Sequence, residues 1–250
     1  MDNSYDQIIP KVGLGTYNMD SKESEFMTYE AIKYGYRHID TAAVYKNEDG
    51  VSRALERIFN ETQLKREDIF ITTKLWPGGL IKLDRVRDYK DTLKSFEKSL
   101  MRLNLEYIDL YLIHSPHGKS KRIEQWKSLM NLKESGKVKY IGVSNWGINH
   151  INELKENNLP LPDANQIEIH PWSQKPELVK YLRENNIDII AYSSLVPLSS
   201  WRHKDGENSK KTEQMYKLGE SENSPFKLLA QKYNCTEAQF LLQWLSLIHI

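Results

Sequence analysis

The feature that most constrains this chain is an alternation. Short runs rich in β-forming residues fall at 12–17, 38–42, 69–75, 108–114, 138–144, 164–169 and 188–193, and a stretch of helical character follows each of the seven. Several of these runs are apolar on successive residues, as in Ile108-Asp109-Leu110-Tyr111-Leu112-Ile113. A strand covered on one face alternates apolar with polar, whereas one that is apolar throughout is covered on both faces, as a parallel strand beneath helices is. Strand then helix, repeated, predicts an α/β fold with a parallel sheet and helices outside it. Right-handed crossovers leave two architectures, an open doubly wound sheet or a closed barrel. The segment Gly13-Leu14-Gly15-Thr16-Tyr17 lacks the third glycine of a dinucleotide-binding turn, which counts against the open sheet.

Local signals mark the helices. Asp20 and Glu23 have capping-box spacing and open a helix predicted over 22–34, with Gly35 as its stop. The segment 88–103 carries Leu93, Phe96, Leu100 and Leu103 on one stripe, and 121–135 carries Ile123, Trp126, Met130 and Leu132 before Gly136. Pro176 suits the first turn of a helix over 176–184. Thr236 and Gln239 form a second capping box ahead of a helix over 240–245. The stretch 199–223 is polar, rich in Lys, Glu, Ser and Asn, and weakly periodic; it is predicted as a long mobile loop. With no linker composition anywhere, 1–250 is expected to be a single domain.

The 250 residues suit one eight-stranded α/β barrel. Lys and Arg total 35 against 34 for Asp and Glu, a balance that gives no electrostatic reason to expect nucleic acid or an anionic membrane as partner. No apolar run approaches the roughly 18 residues of a membrane span. Cys235 is the only cysteine, so no intramolecular disulfide forms, and a cytoplasmic setting is expected. No metal-binding cluster is read from the sequence, and the expected state is a monomer.

Barrel chemistry sits at the C-terminal ends of strands. Four residues meet that condition. Asp40 ends the second β-like run and Tyr45 follows it; Lys74 ends the third and His114 the fourth. Singly, each has an ordinary explanation: a packing tyrosine, a solvated lysine, a turn aspartate, a core histidine. Together they form an acid–base set. A phenol with a pKa of about 10 is a sluggish acid at neutral pH. An ammonium roughly 4 Å away favours the phenolate by on the order of 4 kcal/mol at an effective dielectric of 20. That draws Tyr45 towards the range where a general acid works. Asp40 supplies the counter-charge Lys74 needs, and His114 donates a hydrogen bond to a substrate oxygen.

At these residues the chain resembles an aldo-keto reductase, from about Lys11 to Leu245. The resemblance runs through Gly13-Leu14-Gly15-Thr16, through 35–42 with Tyr45, Asn47 and Glu48, and through Thr73-Lys74-Leu75-Trp76 and Leu112-Ile113-His114. It continues through Gly142-Val143-Ser144-Asn145, Asn165-Gln166-Ile167-Glu168 with His170-Pro171, and Ala191-Tyr192-Ser193. It implies a (β/α)8, TIM-type barrel that reduces aldehydes or ketones with NADPH, NADH being the alternative. It makes Tyr45 the proton donor, Lys74 and Asp40 its tuners, and His114 the group that orients the carbonyl. It assigns Ser144, Asn145 and Gln166 to the nicotinamide carboxamide and Tyr192 to the ring face. Thr16 and Asp40 line the same site, and Ser193 and Leu195 approach the pyrophosphate. Tyr17, Trp76 and Trp146, with His114, wall the substrate pocket.

Departures from the family pattern bear on that reading. Ser115 stands where an aromatic often follows the catalytic His, implying a wider pocket. Val51-Ser52 lacks the family's glycine, and Ser194 and Val196 replace a Pro and a Gly in the pyrophosphate loop. The residues 246–250 do not look like the family, so the eighth strand, the C-terminal helices and the residues selecting the 2′-phosphate are expected to be missing. Two alternatives follow: a catalytically weak cofactor-binding or regulatory barrel, and an inactive fragment.

Overall fold

A computed structural model describes residues 9–81, 83–198, 210–221 and 223–247. The chain divides into two compact units, Met1–Asn165 and Gln166–Ile250. The first unit alternates strand and helix without a break: β1 (Leu14–Gly15), α1 (Ser21–Lys33), β2 (His38–Asp40), α2 (Glu48–Glu61), β3 (Phe70–Leu75), α3 (Tyr89–Leu103), β4 (Ile108–Ile113), α4 (Arg122–Glu134), β5 (Val138–Ser144) and α5 (Ile148–Glu156). At its boundary lies β6 (Ala164–Glu168). The second unit holds α6 (Pro176–Glu184), β7 (Asp188–Tyr192), α7 (Lys210–Glu220), α8 (Pro225–Lys232) and α9 (Glu237–Leu247). Among the described residues the strands follow one another in chain order from β1 to β7, and β1 through β5 pair in parallel.

Each of the seven strand-like runs contains a strand, though the first is reduced to Leu14–Gly15. Both capping boxes form. Asp20 accepts hydrogen bonds from the Lys22 and Glu23 amides while Glu23 accepts from the Asp20 amide. Thr236 and Gln239 exchange the equivalent pair in front of α9. The alternation expects a helix after β2 and after β5, and α2 and α5 stand there without a cap or stripe named for them, while α8 is additional. The signal for α2 is nonetheless present, since Val51, Ala54, Leu55 and Ile58 are buried at helical spacing. The long-loop expectation for 199–223 meets a helix at Lys210–Glu220, whereas 199–209 lies outside the described residues, as does 248–250 of the tail. That helix is built from strong helix formers, Lys, Glu, Gln and Met, without a wide apolar stripe, so hydrophobic periodicity does not announce it.

The register of the strands decides which side chains meet. Asp40 pairs with Thr72, Lys74 with Leu112, and Leu112 with Gly142. Paired residues point to the same face, and so do residues two apart on one strand. Asp40, Lys74 and Ser144 therefore share one face. His114 joins them, because its amide continues the ladder to the Leu75 carbonyl at 3.0 Å. The opposite face lies under the helices: the Thr73 hydroxyl donates to Glu48 of α2 at 2.6 Å, and the Tyr111 ring meets Phe96 of α3 edge-on. One close approach demands a particular residue. A Cβ on Gly50 would sit 2.1 Å from the Ser21 carbonyl oxygen, so α1 and α2 cross only because position 50 has no side chain.

Candidate active site

Lys74 is the centre of the site. Its stem runs through the interior of the sheet and the residue is wholly buried. Its ammonium donates to Asp40 Oδ1 at 2.5 Å, to the Thr41 carbonyl at 2.9 Å and to the Tyr45 hydroxyl at 3.4 Å. Three donors thus reach three acceptors, two of them close. Burial pushes the Lys74 ammonium below its ordinary value, and the Asp40 carboxylate opposes that push through charge and hydrogen bond. The phenol therefore faces a cation that is held charged by one carboxylate and weakened by its surroundings.

Tyr45 reaches the ammonium from a 3₁₀ turn, Ala43–Tyr45, followed by Lys46 at φ 58°. Two neighbours bracket its ring: His114 edge-on at 5.5 Å and Tyr17 tilted at 5.1 Å between centroids. His114 is held mainly neutral by burial, aided by the nearby Lys74 charge, with its pKa lowered to about 3. A neutral imidazole donates from one nitrogen only. Among the described residues Nδ1 is buried without a partner. Trp76 stands edge-on to His114 at 5.9 Å between ring centroids.

Further site residues of the first unit lie around this core. The Thr16 amide and hydroxyl both donate to the Asp40 carbonyl, at 2.9 and 3.3 Å. Asn145, at φ 62°, donates through its amide to the His114 carbonyl and to the Ser144 hydroxyl, each at 3.1 Å. Hydroxyl and amide are thus presented side by side next to His114, the donor-and-acceptor chemistry a carboxamide requires. Tyr17 is more than half exposed, as a rim residue is. Trp146 is not brought to the rim. It is completely buried and packs against His150, while its carbonyl accepts from Asn165 at 2.8 Å.

In the second unit, Gln166 lies buried on β6 and Tyr192 ends β7, where its carbonyl accepts from the Ile169 amide at 3.4 Å. Ser193 follows at φ 54° and its carbonyl accepts from the Val196 amide, opening the 3₁₀ turn Val196–Leu198. Leu195 is 39% exposed in that turn.

Two residues with large structural consequences were given no role by the sequence. Asn47 is fully buried and spends both ends of its amide: Oδ1 accepts from the Thr16 and Thr41 hydroxyls, and Nδ2 donates to the Thr16 and Met19 carbonyls. Glu48, also buried, accepts from Thr73 and pairs with Arg102 at 2.6 Å. Together they pin the segment that follows Tyr45 to β1, β2, β3 and α3. The only advance sign was an Asn-Glu pair two residues beyond the tyrosine.

Comparison with known proteins identifies the family and the fold. The model of the Aldo/keto reductase family matches residues 11–246. A glyoxal reductase of Bacillus subtilis is 37% identical over 94% of this chain and 74% of its own. The crystal structure of an aldo/keto reductase from Brucella melitensis superposes with a TM-score of 0.77 at 36% identity, covering 95% of this chain and 80% of that one. A Bombyx mori aldo-keto reductase, solved in complex with NADP, gives a TM-score of 0.79 at 32% identity over 95% of this chain and 76% of that one. At this likeness the parallel strands and their helices are those of the (β/α)8, TIM-type fold.

Proposed function

Since the chain belongs to the aldo/keto reductase family and is an oxidoreductase of carbonyl compounds, we propose that it reduces a small, reactive aldehyde or ketone to the alcohol, with NADPH as hydride source and Tyr45 as proton donor. The observation that carries this reading is the Lys74 ammonium, 2.5 Å from Asp40 and 3.4 Å from the Tyr45 hydroxyl, on the strand face that His114 and Ser144 share. The dicarbonyl class named for the Bacillus relative is the first substrate class to try.

Ser144, Asn145, Gln166 and Tyr192 would hold the nicotinamide, with Thr16 and Asp40 beside them and Ser193 and Leu195 near the pyrophosphate. A reduced nicotinamide supplies two electrons and a hydrogen to the carbonyl carbon when bound. Everything else falls to the chain. His114, neutral at working pH, donates from Nε2 to the carbonyl oxygen and fixes its direction. As that oxygen gains charge, the Tyr45 O–H bond breaks and its proton passes to the oxygen. The phenolate left behind is stabilised by the Lys74 ammonium, whose own charge Asp40 holds. Solvent then returns the proton to Tyr45.

The test follows NADPH absorbance with methylglyoxal and a panel of simple aldehydes, with NADH run in parallel. Tyr45→Phe keeps the ring and removes the proton, so the rate is expected to fall by about 10²- to 10⁴-fold. An unchanged rate in Tyr45→Phe would remove the tyrosine from the reaction.

A further inference from the structure

The connection from β3 to α3 is more tightly built than a surface loop needs to be. Its neck is closed by the Arg87 amide donating to the Pro77 carbonyl at 2.9 Å. One side chain from α4 clamps both sides of that neck: Gln125, fully buried, donates through Nε2 to the Pro77 carbonyl at 3.0 Å and the Arg87 carbonyl at 2.8 Å. Inside the neck the Gly79 amide donates to the Asp84 carbonyl and the Asp84 amide to the Ile81 carbonyl, each at 3.0 Å. Gly78 and Gly79 sit at φ +76° and +81°, and a Cβ on Gly78 would lie 2.1 Å from the Arg85 carbonyl oxygen. Only glycine allows that path.

The inner turn delivers one carboxylate to one indole. Asp84 Oδ2 accepts from Trp76 Nε1 at 2.8 Å and from the Leu80 amide at 3.4 Å. Trp76 is the ring that stands edge-on to His114 at 5.9 Å, and His117 lies 6.4 Å away on the same indole. A hydrogen bond to a carboxylate is stronger than one to water and fixes the plane of the ring. Beyond the latch, Leu80, Ile81 and Leu83 are 54%, 65% and 93% exposed. The neck of the loop is closed by backbone bonds, and its Asp84 carboxylate is spent on the aromatic beside the carbonyl-orienting histidine.

We propose that Asp84 is a positioning residue that sets substrate preference: it latches Trp76 so that the indole beside His114 forms a rigid apolar wall for carbonyl compounds bearing an aryl or longer alkyl group. The inference rests on the carbonyl-reductase reading above and adds the substrate class. Small dicarbonyls fit the site but leave this wall unused.

The full chain with NADPH separates the possibilities, with kcat and KM measured for methylglyoxal and for 4-nitrobenzaldehyde. Asp84→Ala is expected to raise KM for 4-nitrobenzaldehyde by about tenfold, the scale of a lost apolar contact, with kcat held and a much smaller rise for methylglyoxal. Asp84→Asn keeps an acceptor oxygen and is expected to restore most of the difference. Trp76→Phe, which keeps a ring but loses the N–H, should make Asp84→Ala silent in the double variant, because the two residues act through one bond. This cycle stays informative even where Asp84→Ala loosens the loop. Equal KM changes for both aldehydes, no rescue by Asp84→Asn, or additive effects in the double variant would overturn the wall. A wild-type chain that oxidises NADPH with neither aldehyde would overturn the proposed reaction itself, a different result from an active enzyme without aryl preference.

Discussion

Two charged clusters are buried in the same sheet, one near each end of the strands, and they are wired differently. At the N-terminal end Asp109, 3% exposed, accepts from Arg66 at 2.6 Å and from the Ile71 amide at 2.9 Å, and its other oxygen pairs with Lys139 at 3.0 Å. Arg66 also donates to the Ile69 and Tyr107 carbonyls at 2.6 and 3.0 Å, and the Tyr107 ring lies under both Arg66 and Lys139. At the C-terminal end Lys74 and Asp40 touch the backbone through the Thr41 carbonyl, and the cluster runs out through a long 3.4 Å contact to a phenol and on to an imidazole with an orphaned buried nitrogen. The first cluster spends its hydrogen bonds stapling backbone segments together. The second leaves part of its capacity directed at side chains, where a ligand can use it. Both are buried ion pairs; what distinguishes the one proposed to be functional is where its hydrogen bonds go.

That contrast is breakable by removing both charges of each pair. Replacing a buried pair with neutral groups of similar size is often nearly neutral for stability, because the desolvation penalty disappears along with the attraction. Asp40→Asn with Lys74→Met is therefore expected to lose about 10²- to 10⁴-fold in kcat while changing stability by about 1 kcal/mol or less. Arg66→Met with Asp109→Asn strands two backbone carbonyls and Lys139, so about 3 kcal/mol of stability should go, with kcat per folded molecule unchanged. Urea unfolding and NADPH turnover on the wild type and the two double variants read both quantities. If the C-terminal pair proves the more destabilising to remove, the distinction between stapling and tuning fails.

His114 sharpens the same point through pH. Its folded pKa of about 3 lies below its ordinary 6.5, so between those values the unfolded chain binds a proton that the native chain refuses. Stability contributed by this residue is complete above pH 6.5 and is lost as pH falls, by up to about 3 kcal/mol near pH 4. His114→Gln removes the titration, so its unfolding free energy should decline less over the same window. Parallel declines in the two proteins would show that the imidazole titrates normally and is not buried as described.

The sequence made the strands and the grouping of Asp40, Tyr45, Lys74 and His114 legible because both depend on local pattern. Continuous apolar runs mark β4 however the chain folds, and strand-end position is itself a chemical signal. Cap chemistry was legible for the same reason, since Asp20 and Glu23 need nothing beyond their own helix. What stayed hidden depends on chain segments returning to one another. Asp84 gains its meaning only once the loop closes on Pro77 and Arg87, and Gln125 only once α4 lies beneath that neck. Trp146, which the resemblance assigns to the pocket wall, is fully buried against His150 of α5, a packing that its own position in the sequence does not announce.

The smallest expected effect tests whether location or wiring decides function. Asp20 follows β1, so it lies at the same end of the sheet as the catalytic set. Its carboxylate accepts from the Lys22 and Glu23 amides at 2.8 and 2.9 Å, and all of that bonding stays within the first turn of α1. If proximity to the C-terminal ends made a charged group functional, Asp20→Ala would reduce turnover. If wiring decides, its loss costs only a helix cap, about 1 kcal/mol, with kcat and KM unaltered. Thermal unfolding and steady-state rates on this one variant choose between the two. A changed kcat at unchanged stability would mean that the cap also orients the β1–α1 connection, whose Thr16 and Met19 carbonyls hold Asn47 behind Tyr45.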